Sequence, residues 1–149
     1  MMSENHPTLV IASDHAGYLY KEKIKRFLAD RGYTVADYGT SSEEPVDYPD
    51  FMRPAAQAVA NGEFDLGIIL GGSGNGEAIT ANKVAGIRCA VCWNVESARL
   101  AKAHNNANMI SLGQRMMEDD TALKIVETWL ETSFEGGRHI RRIAKIEAL

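Results

Sequence analysis

Apolar residues along this chain follow two rhythms. At residues 8–13, 33–38, 66–70, 87–93 and 108–112 they run in short stretches rich in branched side chains and bounded by glycine or polar residues, the pattern of strands buried on both faces. Between these runs they recur three and four residues apart. Leu19, Ile24, Phe27 and Leu28 make one apolar face among lysines in residues 18–29, and Ala98, Leu100 and Ala101 make another in residues 96–104. Further helical segments are predicted at 77–83, 121–130 and 138–149. Pro49 suits the first turn of a helix, whereas Pro54 is expected to kink that helix or give it a false start before residues 55–60. Strands alternating with helices at this spacing imply βαβ units with right-handed crossovers. The expected fold is therefore α/β, a Rossmann-like three-layer sandwich around a mostly parallel five-stranded sheet. No linker or repeat interrupts residues 1–149, which read as one domain with a flexible lead over 1–7.

Composition narrows the function classes. With 45% hydrophobic residues and a net charge of −4, the chain can bury a substantial core and has no general attraction for nucleic acid. No apolar run reaches membrane-spanning length, and the start Met-Met-Ser-Glu-Asn-His-Pro lacks the basic and apolar regions of a signal peptide, so a cytoplasmic location without a membrane partner is expected. Cys89 and Cys92 have the spacing of a redox or zinc motif. They lie in a strand-like run, however, where residues three apart point to opposite faces, and there is no second ligand pair. They read as buried structural thiols.

The chemistry concentrates after the 66–70 run. Gly71, Gly72, Gly74 and Gly76 form a loop whose backbone N–H groups can close on an anion, and the helix that follows adds partial positive charge there. Two familiar phosphate loops are excluded. Glu77 and Ala78 stand where a P-loop needs Lys and Ser or Thr, and Glu77 takes the place of the third glycine of a dinucleotide fingerprint. Donors ending in a carboxylate suit an enolisation, in which a base removes a proton beside a carbonyl and fixed donors hold the enediolate oxygen. Glu77 could equally be a carboxylate that complements the helix dipole.

Ligands of such sheets bind beyond the carboxyl ends of the strands, so Ser13, Asp14, His15, residues 71–77, Trp93, Asn94 and residues 113–115 are candidates. His15 and His104 are each compatible with a structural histidine, and Asn105, Asn106 and Asn108 with a helix end and turn. Arg138 and Arg142, four residues apart, make either a solvated basic face or a clamp for one phosphate.

Five motifs in order, Ser13-Asp14-His15-Ala16-Gly17, Gly71-Gly-Ser-Gly-Asn-Gly-Glu77, Ala81-Asn-Lys83, Ala103-His104-Asn105-Asn106-Ala107-Asn108 and Gly136-Gly-Arg-His-Ile-Arg-Arg142, resemble the type B ribose-5-phosphate isomerases over residues 8–146. Isomerases of galactose 6-phosphate and allose 6-phosphate share that scaffold. The resemblance implies interconversion of ribose 5-phosphate and ribulose 5-phosphate, without metal or organic cofactor. Gly71 occupies the position of the base cysteine of many relatives, so the chain resembles the branch in which a glutamate, here Glu77, is the base. Ser73 and the N–H groups of Gly72, Gly74, Asn75 and Gly76 would hold the enediolate. His104, helped by Asp14, would open the furanose ring, with Asn105 contacting the intermediate. His15, Arg115, Arg138, His139 and Arg142 would hold the phosphate, the last three reaching across from the partner subunit of a homodimer or dimer of dimers. One alternative is an isomerase of another aldose phosphate, of four or six carbons, and another is a non-catalytic sugar-phosphate or nucleotide binding module; a carboxylate facing an anion counts against the second.

Overall fold

The computed structural model describes residues 5–148. Five strands, β1 (Leu9–Ser13), β2 (Val35–Asp37), β3 (Leu66–Gly71), β4 (Cys89–Val91) and β5 (Met109–Gly113), form one sheet in the order β2-β1-β3-β5-β4, and every pairing is parallel. Among the described residues the α-helices are α1 (Tyr18–Asp30), α2 (Pro49–Ala60), α3 (Asn75–Asn82), α4 (Val95–Asn105), α5 (Asp119–Glu131) and α6 (Arg138–Glu147). The architecture is the expected three-layer α/β sandwich, with the sheet wholly rather than mostly parallel.

Alternation along the strands splits the core in two. Leu9, Ile11, Ile68, Leu70, Ile110 and Leu112 face α1, α4 and α5, while Val10, Ala12, Ile69 and Met109 face α2 and α3. Trp129 is the largest wholly buried side chain, and its indole Nε1–H donates to the Ala107 carbonyl at 3.1 Å, so its burial leaves no polar atom unpaired. Cys89 and Cys92 belong to the two different cores, as their spacing implied. Burial raises both thiols, Cys92 to about 12, so neither is poised to react.

Some local expectations fail for identifiable reasons. α2 runs through Pro54 without interruption, because Pro54 and Asp50, whose carbonyl loses its helical donor, both lie on the solvent side, where water can serve instead. β2 is shorter than residues 33–38, since Tyr33 turns back to Leu28 and stacks on His6 at 4.1 Å. β4 is cut to three residues, and Trp93 and Asn94 instead cap α4, with Asn94 accepting from the Ser97 N–H at 2.7 Å. α3 starts at Asn75, two residues before the expected Glu77. Among the described residues no helix is long and apolar enough to cross a membrane.

Candidate active site

From β1 the chain passes through α1 to β2 on one side, and from β2 it returns through α2 to β3 on the other side of β1, so a crevice opens beyond the carboxyl ends of β1 and β3. A cleft of about 370 Å³ lies there, lined by Asp14, His15, Tyr48, Gly72, Ser73, Gly76, Glu77 and Arg115 among others. Each strand delivers its residues through a short irregular step. After β1, the Asp14 carboxylate accepts from the N–H groups of Ala16 at 2.9 Å and Gly17 at 3.1 Å, fixing a single 3-10 turn. His15 Nδ1 accepts from the Val46 N–H at 3.1 Å, so its proton is on Nε2, a donor available to an anion.

After β3, Gly74 turns the chain into α3 with φ +86°, a left-handed conformation that costs other residues a steric penalty. Ser111 Oγ, buried in β5, donates to the Gly74 carbonyl at 2.7 Å and pins the turn. The Asn75 N–H is taken by Ser73 Oγ at 3.2 Å. Gly76, in the first turn of α3, faces the cleft with a backbone N–H that has no intrahelical acceptor. Arg115 follows β5, and its N–H donates to the Gly72 carbonyl at 3.0 Å, setting the guanidinium beside the loop.

Glu77 is 4% exposed, and its Oε1 has no hydrogen-bond partner although it is buried. Burial raises its pKa above the usual carboxylate range, and the charge of Asp14 adds to the rise, while the N–H groups of Glu77 and Gly74 pull it back. A desolvated, under-bonded carboxylate in a cleft is suited to take a proton. Its place depends on Gly71: a Cβ built there would overlap the Glu77 carboxyl group. A cysteine at 71 and a glutamate base in this position are therefore sterically incompatible. Gly71→Ala is expected to displace the carboxylate by about 1 Å or more and to cost about a hundredfold in kcat, with folding retained. Steady-state kinetics checks this, and a variant within threefold of wild type would refute the packing argument.

The remaining candidates lie elsewhere. α4 runs back to the amino ends of the strands, where Arg88, just before β4, donates to the carbonyls of Asn105 at 3.0 Å and Asn106 at 2.8 Å. His104 stacks there on His139 of α6, ring centroids 4.4 Å apart and 17° from parallel. Arg138 and Arg142 are exposed on the same helix. β3, six residues at about 3.3 Å each, separates this cluster from the cleft by roughly 20 Å. The expected partnership of His104 with Asp14 is thus not formed within one chain, and His104 goes with the Arg138, His139 and Arg142 group instead. Asn105 is exposed and lines a different cavity, of about 520 Å³, with Arg88 and Glu147. Trp93 and Asn94, at the end of β4, are outside the cleft lining.

Two residues of the site escaped the sequence analysis. Tyr48 packs its phenol directly on Gly76; a tyrosine in a polar loop carries no periodic signal. Ser111 did have one, as a lone hydroxyl in an otherwise apolar strand.

The model of the ribose/galactose isomerase family matches residues 9–146. The chain is 43% identical over 141 residues to ribose-5-phosphate isomerase B of Escherichia coli strain K12, covering 95% of each. Among solved structures, ribose-5-phosphate isomerase B of Clostridium thermocellum superposes with a TM-score of 0.93 at 51% identity over 95% of both chains. A ribose 5-phosphate isomerase of Thermotoga maritima gives 0.94 at 48% identity, over 97% of this chain and 100% of that one.

Proposed function

The chain belongs to the ribose/galactose isomerase family, and from that footing we propose that it is an aldose-ketose isomerase converting ribose 5-phosphate to ribulose 5-phosphate and back. The observation that carries the mechanism is the buried Glu77 carboxylate with an unpartnered oxygen in the cleft. Glu77 takes the proton from C2 of the open-chain aldose. The electron pair moves to the carbonyl oxygen O1, the hydroxyl proton on O2 passes to O1, and the same carboxyl group returns its proton to C1 as the C2 carbonyl forms. Ser73 and the first-turn N–H groups of α3, Gly76 foremost, hold the enediolate oxygen, whose charge exists only beyond the ground state.

The other functions come from a second subunit. We read the assembly as a homodimer, or a dimer of such dimers, in the cytoplasm, with α6 of one copy reaching the cleft of the other. His104 and Asn105 then act on ring opening and on the intermediate, while Arg138, His139 and Arg142 meet His15 and Arg115 around the phosphate. Two features support this reading. The two groups lie at opposite ends of one sheet, and large apolar side chains stand exposed beside both, with Met116 of the cleft lining 64% exposed and Ile140 of α6 59% exposed. An isologous pairing brings unlike ends together twice.

The test is a panel of four-, five- and six-carbon aldoses, phosphorylated at the terminal carbon as 4-, 5- and 6-phosphates, assayed in D2O. Ribose 5-phosphate is expected to turn over fastest, with solvent deuterium entering the ketose at C1. A six-carbon sugar turning over faster would overturn the substrate assignment, and binding without isomerisation of any member would leave a binding module.

A further inference from the structure

We propose that His104, Glu135 and His139 form a binding site for a late first-row divalent ion, with Zn2+ as the type case. One carboxylate oxygen, Glu135 Oε1, lies 3.8 Å from His104 Nε2 and 3.5 Å from His139 Nε2. The three donor atoms all fall within 4.8 Å of one another. An ion held tetrahedrally by ligands at about 2.1 Å requires donors about 3.4 Å apart, so the His139–Glu135 edge already has that spacing. The stacked rings direct their lone pairs side by side, and the His104 ring must therefore tilt toward Glu135 to complete the set. Its side chain, 35% exposed on the last turn of α4, has room to do so, and the Glu135 side chain is 48% exposed.

The second observation is His139 itself. Its Nε2 is buried, aimed into the cluster and without a hydrogen-bond partner. The frame is fixed by backbone contacts, the Glu135 N–H donating to the Ala103 carbonyl at 3.0 Å and the His139 N–H to the Gly136 carbonyl at 3.1 Å. Two imidazoles and a carboxylate suit Zn2+, Co2+ or Ni2+, whereas Mg2+ and Ca2+ prefer an all-oxygen set. No sequence motif announces the site, because its ligands come from the end of α4, a loop and the start of α6. Since the same histidines serve the shared site proposed above, the bound ion inhibits; that consequence, unlike the binding, rests on the isomerase reading.

The experiment titrates Zn2+ into the metal-free full chain by calorimetry, with Glu135→Gln beside wild type, and records the visible spectrum of the Co2+ form. One ion per chain is expected, with intense tetrahedral Co2+ bands and binding weakened at least about tenfold in Glu135→Gln. Absence of binding, or equal binding by Glu135→Gln, overturns the site. If Zn2+ binds in the expected manner yet leaves isomerisation untouched, the site stands, and it is the role of His104 and His139 in the shared active site that fails.

Discussion

Glu77→Gln is expected to lower kcat by roughly a thousandfold or more while sugar-phosphate affinity stays within several-fold, because the proton acceptor is lost and the groups around the phosphate are untouched. The same substitution should stabilise the protein near neutral pH. Burial raises the Glu77 pKa in the folded chain, so folding opposes its ionised form. The stabilising contribution of the protonated carboxyl is fully present below the unfolded glutamate pKa and is lost as the pH rises through the elevated folded value. Above that value wild type carries a buried charge that the amide does not. Thermal unfolding should therefore favour the variant at pH 7 and show the two proteins converging near pH 4. The kinetics run the opposite way: wild-type kcat/KM should fall on acidification with a midpoint above the usual carboxylate range, since only the carboxylate accepts a proton. Near-normal turnover of Glu77→Gln would remove Glu77 as the base, and an acid limb at an ordinary glutamate pKa would remove the role assigned to its burial.

The second large effect concerns where the halves of the site reside. Glu77→Gln, His104→Ala and Arg142→Ala are each expected to be nearly inactive alone. When two variants are unfolded and reassembled together at equal amounts, about half the dimers are mixed. Pairing Glu77→Gln with His104→Ala, or with Arg142→Ala, places both lesions in one composite site and leaves the other intact, so activity should return to about a quarter of wild type. His104→Ala with Arg142→Ala should stay inactive, because the two residues sit in the same cluster and each site of the mixed dimer keeps one lesion. Recovery by this last pair would place His104 with the cleft of its own chain. Failure of the first two pairs, in mixtures verified as mixed by mass, would rule out sharing.

Much of this protein was legible from its residues. The strand and helix rhythms fixed the layers, since burial of a local face repeats at the local period; Ile68 and Ile69 enter opposite cores because they are adjacent in a strand. The glycine loop and Glu77 were readable for a related reason, as their chemistry lies within seven contiguous residues. Boundaries were less so. Pro54 was read as a breaker, because the sequence does not say that the Asp50 carbonyl, left without its helical donor, would face water.

What only the tertiary structure decided involves residues far apart in the chain. The sheet order sets which strand ends adjoin, and so brings Tyr48 and Arg115 to the glycine loop, Ser111 under Gly74 and the Glu77 carboxyl group against Gly71. The direction of α4 carries His104 to the amino ends of the strands and onto His139, away from Asp14, although the sequence named all three as one site. Periodicity records which face of an element is buried; it does not record which distant element covers that face, because many partners would bury the same apolar area equally well, and only the complete packing selects one.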